Sequence, residues 1–536
     1  MKLRATDDFH VAWDDPADAQ LTWTVDQMHY PGPMPPLCGY LMAELDGRIM
    51  GTRTRLVNGY PYQQAMGIPD PPPEVAERGL AAVWNGDYVP RLRAFHDGMR
   101  AANFNSMTAP ELAAALDGLV ADAVEAFRLT MLVVLPFMMP TMELVVFAEA
   151  ELGADGPLLV GTLLQGFANE TASAGLGLAE LATRAAANPE LAAAVRAGRD
   201  DRLDGLPGGK EFVEAFDAYL DEFGWRAESW AAVEVPLWSE DRAVPLRLIA
   251  RYLESPATAP AAAIARSADQ RAKALGEAES RLQGEKLAQF RALLEAARSH
   301  VAMSEGRAHW QLTAIGLLRL PLVALGRKLA AAGVIDDPDD IFYLEWEEAK
   351  RLASQPEPMA ALVRQRKDDL ARWRTLEPAP FIGVPPGAEE APPEMQLVMK
   401  HFFGMGGVAS TREDVITGFG ASRGTASGRA RVVHSLAESD RLEPGEILVC
   451  SSTAAPWTPL FAIAAAVVTD SGGVLSHSAI CAREYANPLR GRHPGRHAPH
   501  PQRRARARRW RSRHRAHRAP LRGGDIKAGY NSHFPA

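Results

Sequence analysis

The sequence predicts a multidomain chain, mainly α-helical through its N-terminal and central regions and followed by a compact α/β domain with an atypical Arg-rich tail. Three observations predict this. The 536 residues exceed what one hydrophobic core fills, and about three domains of ordinary size fit that length. Apolar residues recur at spacings of three and four through 110–375, the rhythm of amphipathic helices. Beyond residue 396 short apolar runs bounded by glycines and polar turns replace it, as strands alternating with helices do.

Residues 1–109 are rich in aromatic side chains and proline. HYPGPMPPLCGY, residues 29–40, places four prolines in twelve residues, which fix the backbone and block helix formation. Such a segment either packs against the following helical domain or supplies a rigid aromatic lining for a ligand. Residues 110–375 read as one helical domain with a central cleft, and 258–302 as one or two long helices. The prolines and acidic residues of LEPAPFIGVPPGAEEAPPEMQ, 376–396, mark a semi-stiff hinge linker. Within 397–489, SGRARVVHS and EILVCSS read as strands, FAIAAAVVTDSGG as a short helical piece, a buried strand and a glycine turn, and SHSAICAREY as a helix.

Charge divides the chain unevenly. Residues 490–536 carry thirteen arginines, one lysine and one aspartate, a net +13, which leaves −21 on the rest of a chain whose total is −8. The tail has no hydrophobic periodicity and reads as disordered. The acidic body repels nucleic acid rather than collecting it, so only the tail offers a nucleic-acid reading. Cys38, Cys450 and Cys481 form no CxxC pair, which favours a reducing compartment. The first twenty residues are mixed in charge and do not read as a signal peptide. The apolar run MLVVLPFMM, 131–139, is shorter than a membrane span. A cytoplasmic location is expected.

The chemistry concentrates in VVTDSGGVLSHSAICAREYANP, 467–488. Gly472 and Gly473 allow a tight turn after the apolar strand. Ser476 suits a helix cap, which places His477 in the first turn. There the amide N–H groups and the positive end of the helix dipole favour a neutral, nucleophilic imidazole and then receive an added phosphoryl anion. A histidine nitrogen both attacks phosphorus and leaves it again. The competing reading is a histidine that only caps or packs. His477 and Cys481 lie four residues apart on one helix face, but two ligands are too few for a structural zinc. GMGG, 404–407, follows no clear strand and precedes no lysine.

These residues resemble the mobile phosphohistidine domain of the phosphoenolpyruvate-utilising enzymes. Four pieces carry the resemblance in order: GFGASRGTASGRARVV (418–433), LEPGEILVCSSTAAPWTPLF (442–461), AAVVTDSGGVLSHSAICARE (465–484) and YANP (485–488). The resemblance implies a swivelling α/β domain in which His477 is the phosphorylated residue. It places Thr453 and the Trp457-Thr458-Pro459 loop beside it and gives Arg483 a structural part. The upstream region more weakly resembles the substrate domain of the rifampicin phosphotransferase type, through 222–240, 297–310, 325–348 and 364–373. Where that type has YGHR this chain has FGWR, with Trp225 in place of the histidine. After YANP the usual closing strands give way to arginine-rich sequence, a break that a reading-frame shift would produce.

The resemblance implies a phosphotransferase component. His477 would take a phosphoryl group from a donor site and deliver it to a hydroxyl of a small acceptor, with the aromatic N-terminal region favouring a flat one. No ATP-grasp segment and no phosphoenolpyruvate-binding barrel is recognisable here, so ATP and Mg2+ are expected on a partner subunit and no cofactor or metal on this chain. The alternative is a non-catalytic ligand- or protein-binding module with a degenerate phosphohistidine domain.

Overall fold

A computed structural model describes residues 11–13, 15–27, 29–30, 32–64, 69–167, 169–254, 260–385, 396, 400–401, 404, 418–470, 472–485, 487–492 and 525–529. Two compact units emerge. One takes residues 1–139, 220–241 and 303–389, the other 140–219, 242–302 and 390–536. The helical region read as one domain over 110–375 is therefore shared between them.

The first unit joins a small sheet to a helical core. Strands β1 (Thr22–Val25), β2 (Thr54–Val57), β3 (Tyr60–Gln63) and β4 (Phe381–Gly383) form an antiparallel sheet in the order β2-β3-β1-β4. Asn58 and Gly59, at φ 50° and 71°, make a two-residue hairpin whose left-handed positions suit the twist of β2 and β3. Trp23, Val57, Tyr60, Tyr62, Leu376 and Ile382 pack on one another. The Tyr62 hydroxyl donates to the Ala379 carbonyl at 2.6 Å. Residues 376–383, expected within the hinge, are thus held by a strand and aromatic anchors. Pro378 and Pro380 lie just before β4, an edge strand, where a missing N–H costs least. Residues 386–395 lie outside the described residues.

The helical core gathers Leu37, Leu41, Leu116, Phe127, Leu325 and Phe342 among others. Buried Arg319 ties the loop after residue 224 to it. Its guanidinium donates to the Val233 carbonyl at 3.0 Å, to Glu240 at 2.7 Å and to both oxygens of Asp339 at 2.8 and 2.9 Å. A fork-shaped cation with several donors suits such a junction better than lysine.

In the second unit, apolar side chains of the helices Gly156–Leu163, Pro260–Arg281 and Gly284–Gly316 meet in one cluster containing Leu159, Leu163, Ala278 and Phe290. The stretch read as one or two long helices is two, and Gly284 starts the second at φ 54°. The α/β domain lies in the same unit. Among the described residues its sheet has the order β10-β6-β7-β8-β9-β5, with β5 Gly418–Ser422, β6 Thr425–Val432, β7 Ile447–Cys450, β8 Ala466–Thr469, β9 Leu489–Arg492 and β10 Asp525–Gly529. Strands β6 to β9 are parallel, while β5 and β10 pair antiparallel at the two ends.

Two of these strands take backbone from the C-terminal segment. β9 runs through Arg490–Arg492 between β8 and β5, and β10 pairs with β6. β9 begins at Leu489, and β10 covers Asp525–Gly529. Strand pairing needs only backbone donors and acceptors, so an arginine-rich sequence does not prevent it. The apolar run at 131–139 also belongs to a longer stretch. Residues 109–152 are long and apolar enough to cross a membrane, and half of the most apolar window is buried within the protein.

The first unit also buries a histidine, His309, with no carboxylate partner among the described residues. Burial pushes His309 down to about 3, and Arg226, His96 and Arg93 add to the effect. Its ring meets the Phe223 and Trp310 rings edge-on. A histidine held neutral in the fold favours unfolding once the unfolded chain takes up the proton. The stability it contributes is present above pH ~6.5 and is lost as pH falls toward ~3, up to roughly 5 kcal/mol in all. His309→Gln is expected to flatten the fall in stability between about pH 6.5 and 4, read as urea midpoints by tryptophan fluorescence. Equal pH slopes for wild type and variant would contradict this account.

Candidate functional site

The ends of β7 and β8 define the site. The amide of Asp470 donates to the carbonyls of Cys450 at 3.2 Å and Ser451 at 3.0 Å, so the loops leaving the two strands start side by side. In open parallel sheets this carboxyl edge is where ligands bind.

From β8 the chain turns sharply. Gly472 has φ 126°, and a Cβ there would meet the Ser476 Oγ at 2.8 Å. A Cβ on Gly473 would collide with the His401 carbonyl, which accepts from the Leu475 amide at 3.2 Å. Space therefore requires both glycines, and conformation requires Gly472 as well. Gly404, the first glycine of GMGG, lies against the Gly472 carbonyl, and 405–407 are outside the described residues. The turn delivers Ser476 to the N-cap of the helix His477–Glu484. The Ser476 hydroxyl donates to the Gly473 carbonyl at 2.9 Å and accepts from the Ala479 amide at 3.3 Å. His477 is the first helical residue and half-buried.

Two side chains converge on the imidazole. The Thr458 Oγ1 lies 3.5 Å and the Cys481 Sγ 3.4 Å from its Nε2. Thr458 and Cys481 are 3.6 Å apart. Thr458 comes from the loop after β7, is buried and opens the short helix Thr458–Phe461. Thr453 stands one step back, its hydroxyl 2.7 Å from that of buried Ser478. A hydroxyl and a thiol thus lie at one nitrogen of the ring. The helix start supplies amides and partial positive charge for an anion added to the ring.

Arg483 does something else. It is buried, and its Nη1 donates to the carbonyls of Ala421 at 2.9 Å and Val474 at 2.8 Å. Burial pushes its guanidinium down to about 10. A Cβ on Gly161 would come within 2.8 Å of the Arg483 guanidinium carbon, so the small residue makes room for it. Glu484, next in the chain, accepts from the Gly166 amide at 2.9 Å. The helix thus presents His477 at one end and holds the unit together at the other.

Sequence reasoning brings Thr458, Ser476 and His477 together with the glycine turn, Gly472 and Gly473. It passes over Ser478, and it weighs Cys481 only as a metal ligand. Helical spacing of four from His477 was the available signal for Cys481. Among the described residues, no group of three or more His, Cys, Asp or Glu is placed to hold a metal ion. Trp225, standing where a histidine was expected, has its ring under the Arg100 guanidinium at 4.6 Å, and its Nε1 donates to the Asp221 carbonyl at 3.1 Å.

Comparison with known proteins matches two segments of the chain. Residues 442–489 match the PEP-utilising enzyme mobile domain, and residues 133–305 match the rifampicin phosphotransferase fourth domain. The rifampicin phosphotransferase of Streptomyces sviceus is 32% identical over 60% of this chain and 36% of its own length. The chondramide synthase CmdD of Chondromyces crocatus is 29% identical over 90% of this chain but 13% of its own length. An uncharacterised phosphotransferase of Bacillus subtilis, YvkC, is 26% identical over 54% of this chain and 34% of its length. The chain spans about a third of the two phosphotransferases and a smaller part of the synthase. With His477 on the capped helix of the first match, the chain has a PEP-utilising-enzyme mobile, phosphohistidine-type domain with a rifampicin-phosphotransferase-like domain upstream.

Proposed function

We propose that His477 carries a phosphoryl group from a donor site to a hydroxyl of a small acceptor. The observation that supports this most is the position of His477 at the first residue of a capped helix, with Thr458 and Cys481 at its Nε2. In this reading the imidazole attacks the donor phosphorus, and the helix N-terminus receives the new anion. The acceptor hydroxyl then displaces the imidazole. Each step depends on positioning and charge stabilisation rather than on a long chain of proton transfers.

The donor is assigned to an ATP-grasp nucleotide-binding subunit acting with ATP and Mg2+, in a cytoplasmic setting. The general phosphotransferase class of the relatives supports a phosphoryl donor. The choice of an ATP-grasp partner rests on the resemblance alone.

Labelling from a γ-labelled nucleoside triphosphate, with and without candidate ATP-grasp proteins, tests the scheme. Label is expected on the chain only in the complete mixture and is expected to vanish in His477→Gln. Full labelling of that variant would make the carrier assignment wrong.

A carrier must meet donor and acceptor in turn, with reacting atoms within roughly 3–3.5 Å each time. The prolines Pro385, Pro386, Pro392 and Pro393 suit a linker of limited reach, C-terminal to the anchored strand β4. Deleting 386–393 is expected to leave ligand binding intact and to slow single-turnover phosphoryl delivery at least tenfold. Delivery at the normal rate would refute a swivelling carrier.

A further inference from the structure

We propose that Asp26, His29 and Arg307 form an acceptor site in the first unit, with His29 taking the proton of an acceptor hydroxyl and Arg307 holding the incoming phosphoryl oxygens. This rests on the carrier reading of His477 and names the place where its phosphoryl group is used.

The arrangement around His29 is that of an oriented base. Its Nδ1 lies 2.9 Å from the Asp26 Oδ2, and its own backbone amide donates to the other oxygen of Asp26 at 3.1 Å. The Asp26 carboxylate is held in turn. Gln63 Nε2 donates to it at 3.2 Å and to Asp46 at 2.7 Å, and Thr54 also bonds Asp46. On its face the imidazole stacks on Trp230, with centroids 3.8 Å apart and planes 22° from parallel. The Trp230 amide donates to the His29 carbonyl at 3.2 Å, joined by the Ser229 hydroxyl. Carboxylate, indole and backbone therefore fix the ring. Its Nε2 makes no hydrogen bond among the described residues, while 16% of the side chain is exposed. A histidine with one nitrogen on a carboxylate and the other unoccupied has the form of a general base.

The charges fit the role. Burial lowers the affinity of His29 for a proton, but the charge and hydrogen bond of Asp26 outweigh it, and the group ends above its ordinary value. Burial and the neighbouring Asp26 push Asp46 up to about 6, against the hydrogen bonds from Thr54 and Gln63. The charged groups facing His29 are Asp26, Asp46 and Arg307. Arg307 comes from the helix Gly284–Gly316 and acts on His29 through its positive charge. Its Nη1 donates to Gln311 at 3.0 Å, while its buried Nε has no hydrogen-bond partner among the described residues. No carboxylate forms an ion pair with it there, and burial pushes it down to about 10. Glu305 acts on this guanidinium through its charge without an ion pair among the described residues, and phosphate oxygens match its fork.

The step balances without another reactant. The acceptor hydroxyl oxygen forms a bond to phosphorus and its proton passes to His29 Nε2. The P–N bond to His477 breaks, and its electron pair returns to the imidazole of His477. Asp26 is a positioning residue, since it acts through His29.

The test uses the full chain with two probes. The first is phenyl phosphate, a product-like monoester, added without donor while the His29 ring resonances are followed. Wild type is expected to show a saturable shift, and Arg307→Met to weaken binding at least tenfold. The second is wild type phosphorylated at His477 with phosphoramidate, freed of reagent and offered a panel of phenols. Transfer is expected to at least one phenol. His29→Gln should lower its rate at least a hundredfold with little change in KM, and Asp26→Asn should displace the pH profile to lower pH. Absence of any phenyl phosphate effect on His29, or transfer by His29→Gln at the wild-type rate, would overturn the site. If His477 takes no phosphoryl group from phosphoramidate, the carrier reading fails separately, and phenyl phosphate binding still decides this one.

Discussion

The Ser476 hydroxyl, bonded to the Gly473 carbonyl and the Ala479 amide, is the contact on which the carrier site depends. It stops the turn, starts the helix and leaves His477 as the first helical residue. A cap of this kind contributes about 0.5–2 kcal/mol, a modest amount whose effect here is positional. Without it the glycine turn has no fixed exit and the imidazole loses its alignment with the helix amides. The absence of side chains at Gly472 and Gly473 is what lets Ser476 and the His401 carbonyl come close enough to complete the turn.

The same short helix meets a second demand at its far end. Arg483 is buried among carbonyls and fits against Gly161, and Glu484 takes the Gly166 amide. A buried guanidinium that lost these partners would carry a desolvation cost of several kcal/mol. Reactive and structural functions are thus separated along eight residues. His477 remains half-buried, while Arg483 and Glu484, which hold the unit together, sit more than a turn away.

Much of this was legible in the sequence because local rules and the final fold agree. The glycine pair, the serine and the histidine follow an apolar strand in the order that a strand–turn–helix junction requires, and they stand there in the structure. The strands at SGRARVVHS and EILVCSS follow from short apolar runs. The Asn58–Gly59 hairpin was equally available, since that pair is a strong two-residue turn signal, but its value shows only beside β1 and β4. What local pattern does not carry is long-range partnership. The place of 376–383 in a sheet depends on Trp23 and Tyr62, more than 300 residues earlier. The strands at 489–492 and 525–529 are set by their partners β8, β5 and β6 rather than by their own hydrophobicity. The division of the helical region rests on which apolar faces meet, and helical periodicity is silent about that. Cys481 beside His477 is a contact that spacing permits, but its use becomes plain only with Thr458 arriving from another loop.

The central claim is that one imidazole holds the phosphoryl group. Phosphorus NMR of the protein after phosphorylation, combined with mapping of the modified peptide, addresses it most directly. The account predicts a single phosphoramidate signal, labile in acid and stable in base, located on the peptide containing His477 and absent from His477→Gln but retained in His401→Gln. A signal that persists in His477→Gln, or that maps to Cys481 or another histidine, would contradict it.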